Sequence, residues 1–153
     1  MIRVLFVCLG NICRSPMAEA IFEHLVREAG LEDRIEADSA GTADWEIDAS
    51  PHPGTLRVLE QSGIIYTKQG RNLRPEDQDR FDYIITMDDQ NTRDVKRLGS
   101  GTAMIAPLLG FVPGAGVREV PDPYFDNRFD RTHTLVRAGA EALLEHIRAE
   151  HRI

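Results

Sequence analysis

The chain has 153 residues, 42% of them hydrophobic and 28% charged, a composition typical of a globular domain long enough to bury a core. A net charge of −7 argues against nucleic acid as a partner, because a basic footprint would be required. Two cysteines are too few for a disulfide framework, and no apolar run is long enough to span a bilayer, so no membrane association is expected.

Ile2–Val7 (Ile-Arg-Val-Leu-Phe-Val) is a short apolar run suited to a buried strand. It has neither the length nor the cleavage site of a signal peptide, so the mature protein is expected to begin here and to reside in the cytoplasm. A helix is predicted over Pro16–Ala29, with Pro16 as its first residue, Met17, Ile21 and Leu25 at helical spacing, and Gly30 as its stop. Further strands are predicted over Arg34–Ser39, Asp82–Met87 and Thr102–Ala106. Further helices are predicted over Pro53–Ser62, Asp89–Leu98 and Arg131–Ala149, with a short turn near Pro75–Asp79. Gly110–Pro123, rich in glycine and proline, reads as the one long loop, a length uncommon unless functional. The alternation predicts an α/β fold: one domain over residues 1–153, with a central parallel four-stranded sheet and helices on both faces. Ligands of such sheets sit at the carboxyl ends of strands, which is where Cys8 falls.

Cys8-Leu9-Gly10-Asn11-Ile12-Cys13-Arg14-Ser15 joins the first strand to the first helix. Such a turn, topped by a helix N-terminus, directs backbone N–H groups at one spot and suits a phosphate dianion. Cys8 puts a thiol at one end of this concavity and Arg14 a guanidinium at the other, with five residues between them. Helix N-termini and cations favour the thiolate form of a cysteine, so Cys8 is expected to act as the nucleophilic anion. Arg14 offers a planar fork for two phosphoryl oxygens, which lysine would not replace. Gly10 lets the backbone turn inward, Asn11 can hold the loop through its amide, and Ser15 can donate to the Cys8 sulfur. A lone cysteine at a strand end is more often a small buried hydrophobe, and the Cys8–Arg14 spacing alone is weak. Gly10, Asn11, Ser15 and Pro16 in a strand–loop–helix context turn the reading toward a cysteine-dependent phosphatase.

Cleaving a P–O bond to a phenolate is faster when an acid protonates the leaving oxygen. Asp122, restrained by Pro123 in the long loop, is the candidate acid, against the alternative of an Asx turn. Its protonated form is expected to be favoured by the loaded phosphate or by burial. Trp45 and Tyr124 are candidate walls of an aryl slot, with Leu9 and Ile12 on its apolar rim; core packing is the alternative for Trp45. The five histidines do not cluster at metal-ligand spacings and are expected on helix surfaces. Neither a metal nor another cofactor is expected.

From Val7 to Glu19 the chain resembles the phosphate-binding loop of the low-molecular-weight protein tyrosine phosphatase family at nearly every position. Asp38-Ser39-Ala40-Gly41-Thr42, Asp44-Trp45, Gly63-Ile64, Arg71-Asn72-Leu73, Met87-Asp88 with Asn91, and Asp122-Pro123-Tyr124 follow in the order this resemblance requires. The resemblance spans the chain. It implies a phosphocysteine intermediate at Cys8, phosphate binding by Arg14 and the loop Leu9–Ser15, and acid and base roles for Asp122. It also implies phosphotyrosine-containing proteins as substrates and inorganic phosphate as product and inhibitor, and says nothing of oligomeric state. In similar arginine phosphatases a threonine usually stands where Ile12 does, so Ile12 favours tyrosine.

Three departures stand out. Lys68 occupies the place of a histidine that braces the loop asparagine in many members, so weaker bracing of Asn11 is expected. Asp48 stands where glycine is common, and Phe125 where animal members often have tyrosine. An arsenate reductase would need relay cysteines away from the loop, and the second thiol, Cys13, lies inside it. Cys13 instead suits a redox partner that protects an oxidised Cys8, or a small residue packed under the loop. A non-catalytic phosphotyrosine-binding module would have no need for Asp122 alongside Cys8 and Arg14.

Overall fold

The N-terminal apolar run forms strand β1 (Ile2–Cys8), and its side-chain alternation divides the core in two. Val4, Phe6 and Cys8 belong to a cluster of 26 buried residues on one face of the sheet, whereas Leu5 and Val7 belong to a cluster of seven on the other. The computed structural model, which describes residues 1–153, places β1 at the centre. β2 (Ile35–Gly41) pairs along one edge of β1 and β3 (Tyr83–Thr86) along the other, with β4 (Met104–Pro107) outside β3. All pairings are parallel, as expected of strands buried on both faces. The chain moves from β1 to β2 on one side and then to β3 on the other. The strand order therefore switches at the carboxyl end of β1, where the loop after Cys8 opens a crevice.

Six helices complete the fold: α1 (Arg14–Glu28), α2 (Pro53–Gln61), α3 (Asp77–Arg80), α4 (Asp89–Leu98), α5 (Pro123–Asp126) and α6 (Phe129–His151). α1, α2 and α6 cover the larger cluster through Met17, Ile21, Leu59, Val136 and Leu143. Val95 of α4, with Leu73 and Phe81, covers the smaller one. No helix is long and apolar enough to cross a membrane.

Most element ends differ from the sequence reading by one or two residues, and three differences have a clear physical reason. α1 begins at Arg14 rather than Pro16, and its first bond runs from Met17 N–H to the Cys13 carbonyl. Proline is tolerated anywhere in a first turn, whose N–H groups have no intrahelical acceptor, so Pro16 misplaces the start by two residues. The long loop is shorter than expected, because Leu108–Phe111 forms a 3₁₀ turn before it and Pro123–Asp126 a helical turn at its end. α6 starts at Phe129 rather than Arg131, after Asn127 in the left-handed conformation (φ 59°) separates it from α5.

A charged cluster lies where α1 meets β2 and the segment after α2. Lys68 Nζ bridges Asp38 and Glu19, the latter at 3.3 Å, and Ser39 Oγ donates to Glu19 at 2.7 Å. Glu23 lies one helical turn from Glu19, and the buried Tyr66 hydroxyl has no hydrogen-bond partner. Burial, then the Glu19 carboxylate, push Glu23 from its ordinary 4.5 up to about 7. The folded chain thus keeps a proton that the unfolded chain releases near pH 4.5, so this group costs stability as pH rises from about 4.5 to 7. Glu23→Gln removes that cost. In urea unfolding, the variant should gain about 1 kcal/mol relative to wild type between pH 5 and pH 8, less than full linkage because solvent reaches Glu23. The same stability difference at both pH values would contradict the assignment.

Candidate active site

The loop Leu9–Cys13 leaves β1 and enters α1 without donating a single backbone N–H to the rest of the chain, and Arg14 and Ser15 in the first turn of α1 have no intrahelical acceptor. Unpaired donors within a folded chain call for an acceptor from outside it, and a run of them ahead of a helix N-terminus suits an anion. Asn11 holds this shape. It adopts a left-handed backbone (φ 58°), which asparagine tolerates better than most residues, and it is 1% exposed. Its amide nitrogen donates to Ser15 Oγ at 2.9 Å and Ser39 Oγ at 3.0 Å, and its oxygen accepts the Arg71 N–H at 3.0 Å.

The expected weakening at Lys68 is therefore corrected. The brace reaches Asn11 through Ser39, with Glu19 behind it, and Lys68 supports that pair as a counter-charge rather than touching Asn11. Asp48 also takes a left-handed backbone (φ 66°), which accounts for glycine at this place in similar chains.

Cys8 is buried, with its sulfur 3.0 Å from Ser15 Oγ. Arg14 is 3% exposed, and its Nη1 donates to Asp88 Oδ2 at 2.7 Å and to the Val120 carbonyl at 3.0 Å. Its Nη2 faces Asp122 Oδ2 at 3.4 Å. Burial alone would favour loss of the Arg14 proton, but Cys8, Asp88 and Asp122 outweigh it and hold the charge. Asp122 accepts the Tyr124 N–H through its other oxygen at 3.1 Å, so the Asx-type cap weighed against the acid role is present while the carboxylate still reaches the cleft. Cys13 is a buried thiol pushed up to about 12 by burial, then by Cys8 and Asp122, so it stays protonated beside Cys8.

Cys8, Cys13, Arg14 and Asp122 line one cleft of about 280 Å³ together with Leu9, Gly10, Ile12, Trp45 and Tyr124. Trp45 is 73% exposed, which removes core packing as its reason for being there. Glu46 and Phe125 also line the cleft; the sequence marks Phe125 only as a departure from similar chains and gives no sign of Glu46. Asp88 was noted only as a landmark; its role as the anchor of Arg14 and the cap of α4 needs the tertiary contact to be seen. His52 was expected on a helix surface but instead caps α2, accepting the Gly54 N–H at 2.9 Å.

The family model described as "Low molecular weight phosphotyrosine protein phosphatase" matches residues 3–153. The low molecular weight protein-tyrosine-phosphatase YfkJ of Bacillus subtilis (strain 168) is 44% identical over 156 residues, which cover 100% of both chains. Its crystal structure superposes with a TM-score of 0.95 at 45% identity, covering 98% of this chain and 96% of that one. The crystal structure of the Drosophila arginine phosphatase DARP superposes with a TM-score of 0.89 at 34% identity, covering 94% and 96% of the two chains. The chain belongs to the low molecular weight phosphotyrosine protein phosphatase family, and its relatives named protein-tyrosine-phosphatases are phosphoric monoester hydrolases.

Proposed function

We propose that the protein hydrolyses the phosphate monoester of phosphotyrosine in proteins, without metal or other cofactor, through a phosphocysteine at Cys8. The observation that carries this reading is the cradle of unpartnered N–H groups with Cys8 at one end and Arg14 at the other, facing Asp122 from a distant loop. Phosphate oxygens take the place of missing acceptors along Leu9–Ser15, and the Arg14 fork takes two of them. The Cys8 sulfur attacks phosphorus as the P–O bond to the aryl group breaks, and Asp122 gives its proton to the leaving phenolate. Ser15 donates to the sulfur and stabilises it when it leaves again. In the second step the Asp122 carboxylate takes a proton from water, whose oxygen attacks phosphorus. The S–P bond breaks, inorganic phosphate forms, and it competes with substrate for the same cradle.

Leu9, Ile12, Trp45 and Tyr124 make an apolar mouth above this chemistry, which supports an aryl phosphate ester over the P–N bond of a phosphorylated guanidinium, whose charged group would face this surface. The fold, the absence of a helix fit to cross a membrane and the acidic net charge support a cytoplasmic single-domain enzyme acting on phosphoproteins and not on nucleic acid.

Turnover of p-nitrophenyl phosphate and phenyl phosphate tests the assignment. Cys8→Ser should abolish turnover of both while still binding phosphate, and Arg14→Lys should lose several orders of magnitude although its charge remains. Asp122→Asn should slow phenyl phosphate by about 10²–10⁴-fold and p-nitrophenyl phosphate much less, because a stable leaving phenolate needs little acid help. Full activity of Cys8→Ser would sink the mechanism, and equal slowing of both substrates would take Asp122 out of the acid role.

Cys13 supplies a second expectation. Peroxide converts the Cys8 thiolate to a sulfenic acid with release of hydroxide, and condensation with the Cys13 thiol forms a disulfide and water. That bond blocks irreversible oxidation and is reopened by a thiol reductant. After peroxide and then dithiothreitol, wild type should regain most of its activity and Cys13→Ser much less. Equal recovery would leave Cys13 as packing under the loop.

A further inference from the structure

We propose that His52 is a positioning residue for the aryl group of the substrate, acting through Tyr124. This rests on the reading of Tyr124 as a wall of the cleft, and it concerns a residue outside the catalytic set. His52 sits where three parts of the site meet. Its backbone N–H donates to the carbonyl of Ile12 in the phosphate loop at 2.8 Å. Three residues on, Thr55 Oγ1 donates to the Cys13 carbonyl at 3.1 Å, so the first turn of α2 is tied to the loop at two successive carbonyls. The His52 ring stacks on Phe129 at 4.8 Å and 23°, and meets Tyr124 edge-on at 6.2 Å and 83°.

Tyr124 has little else to place it. It is 58% exposed, and its other aromatic neighbour, Phe125, is 77% exposed at 5.4 Å. Phe129 itself is fixed. It is 1% exposed and lies so close to Gly54 that an added Cβ would sit 2.5 Å from its ring. The rigid contact thus runs from the phosphate loop, through the first turn of α2 and Phe129, to His52, and from His52 to the wall. His52 fixes the distance between the phosphate and the ring that follows it. Because Nδ1 accepts the Gly54 N–H, the capping tautomer carries its proton on Nε2.

Two variants separate the cap from the ring. His52→Asn keeps a good capping acceptor and removes the ring, whereas His52→Phe keeps a ring and removes the cap. Benzylphosphonate, a non-hydrolysable aryl ligand, and inorganic phosphate are titrated against the fluorescence of Trp45, the single tryptophan at the cleft. His52→Asn should bind benzylphosphonate about 2- to 10-fold more weakly, the range expected for one lost aromatic contact, with phosphate affinity and unfolding midpoint near wild type. His52→Phe should bind benzylphosphonate like wild type while unfolding at lower denaturant. Wild-type benzylphosphonate affinity in His52→Asn, equal weakening of both ligands, or equal loss in both variants would overturn the proposal. Binding is read without turnover, so a failure of the phosphatase reading would show separately, as absent hydrolysis of phosphotyrosine by wild type.

Discussion

The left-handed backbone of Asn11 is the constraint on which the site depends. A loop that leaves its N–H groups unpaired has no internal reason to stay open, since each orphaned donor would gain from folding back onto a carbonyl. Three hydrogen bonds to the Asn11 side chain hold the chain against that tendency. They tie the loop to α1 through Ser15, to β2 through Ser39 and to the segment before α3 through Arg71. Ser15 and Ser39 are buried and Arg71 half-buried, and the last two are themselves anchored, Ser39 by Glu19 and Arg71 by Asp38 and Asp77. The cost of the strained residue and the unpaired donors is thus spread over a polar network that reaches three other elements, as expected where strain serves a site.

Charge is arranged on the same principle. The chain carries −7 overall, yet the cradle must attract a dianion. Free N–H groups, the N-terminal end of α1 and Arg14 make a positive field within a few ångströms, where burial leaves little water to screen it. Asp88 and the Val120 carbonyl occupy Nη1 of Arg14, fixing the plane of the guanidinium before any ligand arrives. Asp122 faces the other end more loosely, at 3.4 Å, so a phosphoryl oxygen can displace that contact without undoing the anchor.

Much of this is legible in the chain because it is local. Ile2 to Pro16 encodes strand, turn and helix start within 15 residues, and the glycine, asparagine and serine there have their roles set by neighbours in sequence. The four strands and the main helices follow from apolar period and breakers, with errors confined to ends where first turns and caps obey other rules. Asp88, Glu46 and His52 were not legible as site residues, since each matters through a contact made across the sheet or between loops. Asp88 reads equally well as the cap of α4, and it is that too. Lys68 could be located but not interpreted, because its partners Glu19 and Asp38 lie on two other elements. The family likeness names landmarks; only the tertiary contacts say what a replacement at one of them does.

The cleft has two halves of opposite character. Its floor, from Cys8 to Ser15, is largely buried and hydrogen-bonded to three elements, which suits a reaction whose barrier depends on placing phosphorus, sulfur and donors to within fractions of an ångström. Its mouth, formed by Trp45 on the turn after β2 and by Tyr124 and Phe125 on the single-turn α5, is 58–77% exposed. Such surfaces vary at little cost to the fold, so they are where a phosphatase of this kind can change partners while keeping its chemistry. In the proposed mechanism the division also accounts for an acid on the mouth side. Asp122 must be near the leaving oxygen, which belongs to the part of the substrate that differs from one protein to another, and its carboxylate caps the turn that carries Tyr124. Proposed acid and proposed wall are therefore held together by one turn, so under this mechanism a substrate ring seated against Tyr124 has its ester oxygen on the Asp122 side.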